Sequence, residues 1–183
     1  QLGFKLVGVG SVGTRAYVVL LDGSGAQDPL ILQAKEAQPS VLADQRPAPT
    51  PRPADEGNRV VHGQRLLQMT SDIFLGAVRA TGIDGARRDY YVRQLRDGKG
   101  SVDVDRLRPR AMAFYARVCG QTLARAHARS GDRVAIAGYL GSAATFDEAI
   151  ADFALAYADR SVVDHAALRQ AAADGRIAVR EGV

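Results

Sequence analysis

The hydrophobic pattern of the first forty residues reads as three consecutive β-strands. Gly3 to Val9 alternates and ends in glycines. Arg15 to Leu21 is an apolar run that closes on Asp22-Gly23, a hairpin-turn signal. Leu30 to Lys35 makes a third strand, with Ile31, Gln33 and Lys35 on one face and Leu30, Leu32 and Ala34 on the other. Residues 38–58 break the pattern. Five of the seven prolines fall there (Pro39, Pro47, Pro49, Pro51, Pro53), which excludes a helix interior or a central strand and predicts an exposed loop. Helical spacing then begins: Val60, Val61, Gln64, Leu67 and Gln68 predict a helix from about Arg59 to Asp72. Ile73 to Arg79 and Asp89 to Leu95 read as two more strands around the turn-rich stretch Thr81 to Gly85, and Arg96 to Ser101 reads as a connector.

Beyond the connector the pattern is helical. Pro109 suits a first turn, and Met112, Tyr115, Ala116, Cys119, Leu123 and Ala126 form one apolar stripe, with Cys119 expected in the core. Thr145 with Glu148, and Ser161 with Asp164, stand at capping-box spacing before two further helices. Phe146, Ile150, Phe153 and Tyr157 are expected to form the buried face of the first, with Phe153 or Tyr157 alternatively at an interface with an absent part, and Gly175 to end the second. The expected fold class is α+β: a small antiparallel sheet with one helix over residues 1–101, then a helical half over 102–183.

Composition narrows the function classes. A length of 183 residues can bury a core without disulfides or metal staples. A single cysteine excludes an internal disulfide and a Cys-based zinc site, and His62, His127 and His165 lack metal-ligand spacing. No apolar run approaches the ~20 residues that span a bilayer, and no signal-peptide pattern opens the chain, so a cytoplasmic protein without membrane contact is expected. The net charge of +4 is spread among acids along helices, and aromatics make up only 6% of residues, which argues against nucleic-acid binding. Of the 24 basic residues only Lys5, Lys35 and Lys99 are lysines, so each lysine is informative. The chain begins with Gln1 rather than Met, which predicts a piece of a longer protein.

Gly8-Val9-Gly10-Ser11-Val12-Gly13 matches G-x-G-x-x-G in full. Dinucleotide-binding folds place such a motif before a helix whose N-terminus holds a pyrophosphate. Here strand formers ending in Asp-Gly follow Gly13, so that reading lacks its helix. The alternative is a glycine-rich flap between antiparallel strands, in which backbone approaches phosphate oxygens and a lysine on the next strand reaches the α- and β-phosphates. Lys35 stands where that lysine belongs. A bulged hairpin turn with a surface lysine also fits the same residues.

The flap template further requires a glutamate on the next helix. None lies between Arg59 and Asp72; Glu56 precedes that span, and Gln64, Gln68 and Asp72 are the nearest polar candidates. Ser130-Gly131-Asp132-Arg133-Val134 follows a helix ending in Ala126-His127-Ala128-Arg129, but no Asn stands four or five residues beyond Asp132, and no Asp-Phe-Gly motif occurs. Asp132 therefore reads as a turn residue and His127 as a packed or capping histidine, and the chain contains no catalytic residues of its own.

Several longer strings carry a family resemblance: Val7 to Arg15 (Val-Gly-Val-Gly-Ser-Val-Gly-Thr-Arg), Gln33-Ala34-Lys35-Glu36-Ala37, Gly63-Gln64-Arg65-Leu66, Ser71 to Gly76, Asp89 to Asp97, Lys99 to Val102, and Leu123 to Asp132. Together they resemble a bacterial family of unknown function, the domain-of-unknown-function family 2252, over nearly the whole chain except the Pro-rich insert. The resemblance implies that this chain corresponds to the C-terminal part of longer members. Their upstream half resembles that of aminoglycoside-phosphotransferase-type kinases, so the halves of a kinase-like fold would stand in permuted order. The catalytic Asp, the Asn and the metal-binding acid would then precede Gln1, and this chain would inherit the nucleotide side alone: Gly8, Gly10, Ser11, Gly13 and Lys35. The stretch from Arg93 to Arg96 would supply backbone contacts to a base.

The expected function is therefore the ATP-binding portion of a kinase-like phosphotransferase, inactive as this fragment. Its Mg2+ ligands would lie outside the chain, its partner would be the missing half, and its phosphoryl acceptor is unnamed. The rival is a non-catalytic, pseudokinase-like regulatory or interaction domain, and a further one is a module that docks through the Pro-rich loop.

Overall fold

Five strands form one antiparallel sheet in the computed structural model, which describes residues 1–4, 13–25, 28–43, 54–95 and 100–179. The strands are β1 (Leu2–Phe4), β2 (Ala16–Leu21), β3 (Leu30–Glu36), β4 (Gly76–Thr81) and β5 (Arg87–Gln94), in the spatial order β1-β2-β3-β5-β4. The helices are α1 (Glu56–Leu67) between β3 and β4, then α2 (Pro109–Ser130), α3 (Arg133–Leu140) and α4 (Thr145–Ala173). The chain divides into two compact units, Gln1–Asp132 and Arg133–Val183, so α2 belongs with the sheet. The α+β class with a small antiparallel sheet is what the periodicity predicts. Among the described residues no helix is long and apolar enough to cross a membrane.

Strand register decides which side chains share a face. Lys35 stands opposite Ala16 on β2 and Tyr91 on β5, and Tyr91 stands opposite Ala77 on β4. One row, Ala16–Lys35–Tyr91–Ala77, thus crosses four strands, and α1 lies on its side of the sheet. Gly57 shows this: a Cβ there would come within 2.5 Å of the Tyr90 carbonyl oxygen and 3.1 Å of the Ala77 Cβ. The first turn of α1 therefore rests directly on β4 and β5, with Val61 buried one turn further on. Because the obstructing atom is backbone, we expect Gly57→Ala to force the helix outward. The overpacking should cost about 1–3 kcal/mol, more than the ~1 kcal/mol that alanine returns in helix propensity. Urea titration checks this, and a variant as stable as the parent would show that α1 sits further out.

Polar side chains set the ends of α1 and displace it from the predicted span. Asp55 caps it, accepting from the Asn58 backbone N–H at 2.7 Å, and the Asp89 carboxylate accepts from the Glu56 N–H at 3.0 Å. Helix therefore begins at Glu56, earlier than Arg59, and ends at Leu67, before Asp72. Asp72 has other work: its carboxylate accepts from the Phe74 N–H at 2.9 Å and from the Gln94 N–H at 2.7 Å. That turn delays β4 to Gly76, where Ile73 is the predicted start.

The helical half departs further from the pattern. Thr145 is the first residue of α4, capped by no side chain, and Ser161 starts nothing, because one 29-residue helix runs through it. Phe146, Ile150, Phe153 and Tyr157 are exposed, with Phe153 and Tyr157 stacked at 5.5 Å. On α2 only Met112, Tyr115 and Ala126 of the predicted stripe are half-buried; Leu123 and Cys119 are exposed. An apolar stripe reports that a face favours burial, not that a neighbour is there to provide it. Asp132 does stand in the break between α2 and α3, as a turn residue should.

Candidate functional site

Gly13 and Lys35 are the predicted site residues within the described part of the chain; Gly8, Gly10 and Ser11 lie outside it. Gly13 has φ +80°, a left-handed conformation that favours glycine, and it stands three residues before β2 begins. Since Lys35 is the register partner of Ala16, Gly13 and Lys35 belong to adjacent strand ends of one hairpin. Lys35 is half-buried on the α1 side, beside the fully buried Ala16 and the half-buried Tyr91, whose phenol burial pushes upward in pKa. Gln33, two residues back on the same face, is buried and accepts a long 3.5 Å hydrogen bond from Arg93.

The polar candidates on α1 sort themselves. Glu56 is the helix's one carboxylate, and it pairs with Arg59 within the first turn. Gln68 is the C-cap residue, and its backbone N–H donates to the Gln64 carbonyl; Asp72 lies beyond the helix, which leaves Gln64 as the candidate inside it. The stretch expected to contact a base is also partly committed. The Gln94 N–H is taken by Asp72, and the Leu95 N–H donates to the Ile31 carbonyl at 2.9 Å. Arg96 lies outside the described residues.

Residues that sequence reasoning passed over close around the same hairpin on the opposite face. Arg15, Glu36, Asp84 and Arg88 form a ring of four charges, with contacts of 3.1, 3.1, 2.7 and 3.5 Å. Burial pushes the Glu36 carboxyl up, but hydrogen bonds from the Arg15 backbone, the Arg15 side chain and Gln38 outweigh it, and the net shift is downward. The Arg88 hydrogen bonds hold Asp84 well below the usual carboxylate range, and those from Arg79 and the Glu56 N–H lower Asp89. Arg15 and Glu36 flank the two predicted site residues, yet only the β2–β3 register puts residue 15 opposite residue 36.

These shifts carry a pH prediction. Carboxylates whose folded pKa is depressed contribute stability that is complete above their unfolded values, near pH 4, and is lost as pH falls through the folded values. We expect stability to decline below about pH 4, and Asp89→Asn to flatten that decline. Urea midpoints measured between neutral and acid pH check it; an unchanged slope in the variant would remove Asp89 from the account.

Beside the ring, an apolar depression of about 170 Å³ opens on the face away from α1, lined by Leu2, Tyr17, Ala34, Val78 and Tyr90 among others. Tyr17 and Tyr90 are buried there with ring centroids 6.0 Å apart, and their hydroxyls lack hydrogen-bond partners among the described residues. Burial, then the neighbouring Tyr17 phenol, raises the pKa of Tyr90. The described residues that line this depression carry no charged side chain. Among the described residues no group of three or more His, Cys, Asp or Glu is placed to hold a metal ion.

The model of a bacterial family, described as "Uncharacterized protein conserved in bacteria (DUF2252)", matches residues 2–171, and the chain belongs to that family. No curated protein and no solved structure matches the chain.

Proposed function

We propose that this member of the DUF2252 family forms the nucleotide-binding side of a kinase-like phosphotransferase, with ATP as the nucleotide and the catalytic Asp, Asn and Mg2+ ligands supplied from outside these residues. One observation carries the reading. Lys35 stands on β3, on the α1 side of the sheet, in register with the start of the strand that follows the glycine motif. The order strand, glycine segment, strand, lysine strand, helix, two strands matches the arrangement in which a lysine ammonium reaches nucleotide phosphates as a point charge. Within the described residues this reading rests on Gly13 and Lys35.

A second reading is favoured by α1 itself. Its single carboxylate is engaged by Arg59 in the first turn, so the helix offers Gln64 where the template has a glutamate. A glutamine accepts a hydrogen bond from an ammonium but does not neutralise it. That composition suits a domain that binds nucleotide without transferring phosphate. Calorimetric titration of Mg-ATP into the full-length protein tests the shared premise, and absence of binding ends both versions. ATP turnover or phosphoryl transfer by the same preparation would exclude the second.

A further inference from the structure

We propose that the Arg15–Glu36–Arg88–Asp84 ring is a positioning device that locks the register of β3 against both β2 and β5 and thereby holds Lys35 on the α1 face. The inference rests on the nucleotide reading above. The ring closes on itself through side chains. Arg15 bridges Glu36 and Asp84 at 3.1 Å each, and Arg88 holds Asp84 through both guanidinium nitrogens at 2.7 and 2.8 Å. Arg88 reaches the second Glu36 oxygen at 3.5 Å. Backbone completes it: the Arg15 N–H donates to the Glu36 carboxylate at 3.1 Å, and the Glu36 N–H donates to the Arg15 carbonyl at 2.8 Å. Three segments meet here: the two residues after Gly13, the end of β3 just past Lys35, and the β4–β5 turn.

The location says what the ring is for. Glu36 has a side chain only 8% exposed, yet it accepts hydrogen bonds from Arg15 and Gln38 and pairs with Arg88. Pairing at a buried carboxylate is a poor source of net stability, because desolvation offsets the attraction, and the best-attested use of such a pair is to specify register. Register is what matters at this site. A slip of β3 by one residue against β2 and β5 would turn Lys35 to the opposite face, away from α1. The flanking strands discriminate poorly between registers, since Val18, Val19, Leu20, Leu21, Leu30, Ile31 and Leu32 are apolar on both faces. The charged pair at the end of the hairpin supplies that discrimination.

The test separates this inference from the reading beneath it. ATP and adenosine are titrated into the full-length protein and into Glu36→Gln and Asp84→Asn. If the ring sets the lysine against phosphate, Glu36→Gln weakens ATP about tenfold, the equivalent of one lost charge-assisted hydrogen bond, and leaves adenosine unchanged. Asp84→Asn opens only the exposed side of the ring and should weaken ATP about threefold, again without an effect on adenosine. Should Glu36→Gln fail to fold, Asp84→Asn carries the test, because it changes a turn residue. Unchanged ATP affinity in the folded variants overturns the positioning role while the nucleotide reading stands. Equal losses for ATP and adenosine overturn it too, as general loosening. A parent protein that binds no ATP removes the nucleotide reading, and the ring's role falls with it.

Discussion

Replacing Lys35 by alanine is expected to weaken Mg-ATP binding to the full-length protein by roughly ten- to a hundredfold, the scale of a charge-assisted hydrogen bond of about 1.5–3 kcal/mol. The expectation follows from position. Lys35 is half-buried between a fully buried alanine and a tyrosine, so its ammonium has a restricted set of directions in which to reach. Few lysines stand among many arginines here, so a generic surface cation is a poor substitute for what this position supplies. Lys35→Arg should not restore full affinity, because a planar guanidinium presents a fork where the proposed role asks for a compact point charge. Adenosine affinity should be unaffected by either change. Calorimetry reads all of these directly, and equal ATP affinity for parent and Lys35→Ala would sink the assigned role.

Tyr90 carries the other large effect, and it divides by substitution. Tyr90→Ala removes a ring that is 3% exposed and packs against Tyr17, whose own ring meets Phe4 edge-on at 5.8 Å. The expected loss is about 3–5 kcal/mol, the usual cost of emptying an aromatic site in a core. The described core contains few large side chains, so little else is available to fill the space. Tyr90→Phe should behave oppositely. Its hydroxyl is buried with no hydrogen-bond partner among the described residues, and removing a hydroxyl so placed relieves a desolvation penalty of about 1–3 kcal/mol. Denaturant unfolding should therefore find Tyr90→Phe at least as stable as the parent. A clear loss in Tyr90→Phe would mean that the hydroxyl is engaged after all.

Where local chemistry decides, the chain was readable. The β2 and β3 strands stand within a residue of their predicted limits, because alternation and the Asp22-Gly23 turn signal are properties of adjacent residues. Helix α2 runs from Pro109 as expected, since proline at a first turn costs no hydrogen bond. The misplaced boundaries have both local and long-range causes. Asp89 and Asp55 start α1 early, and Asp72 spends its carboxylate on residues 74 and 94 instead of extending the helix. The Asp89 and Asp72 bonds to Glu56 and Gln94 join positions more than twenty apart, a distance no periodicity reports.

By itself the sequence determined the α+β class and the faces of β2 and β3, because residue type and spacing act over a few positions. The tertiary structure decided the rest. It put Gly57 against the sheet and set Arg15 opposite Glu36. It left Cys119 and the α4 aromatics exposed where a stripe alone had implied burial. The physical reason is common to all three. Burial, close approach and ion pairing are properties of two surfaces, and a sequence pattern describes only one of them.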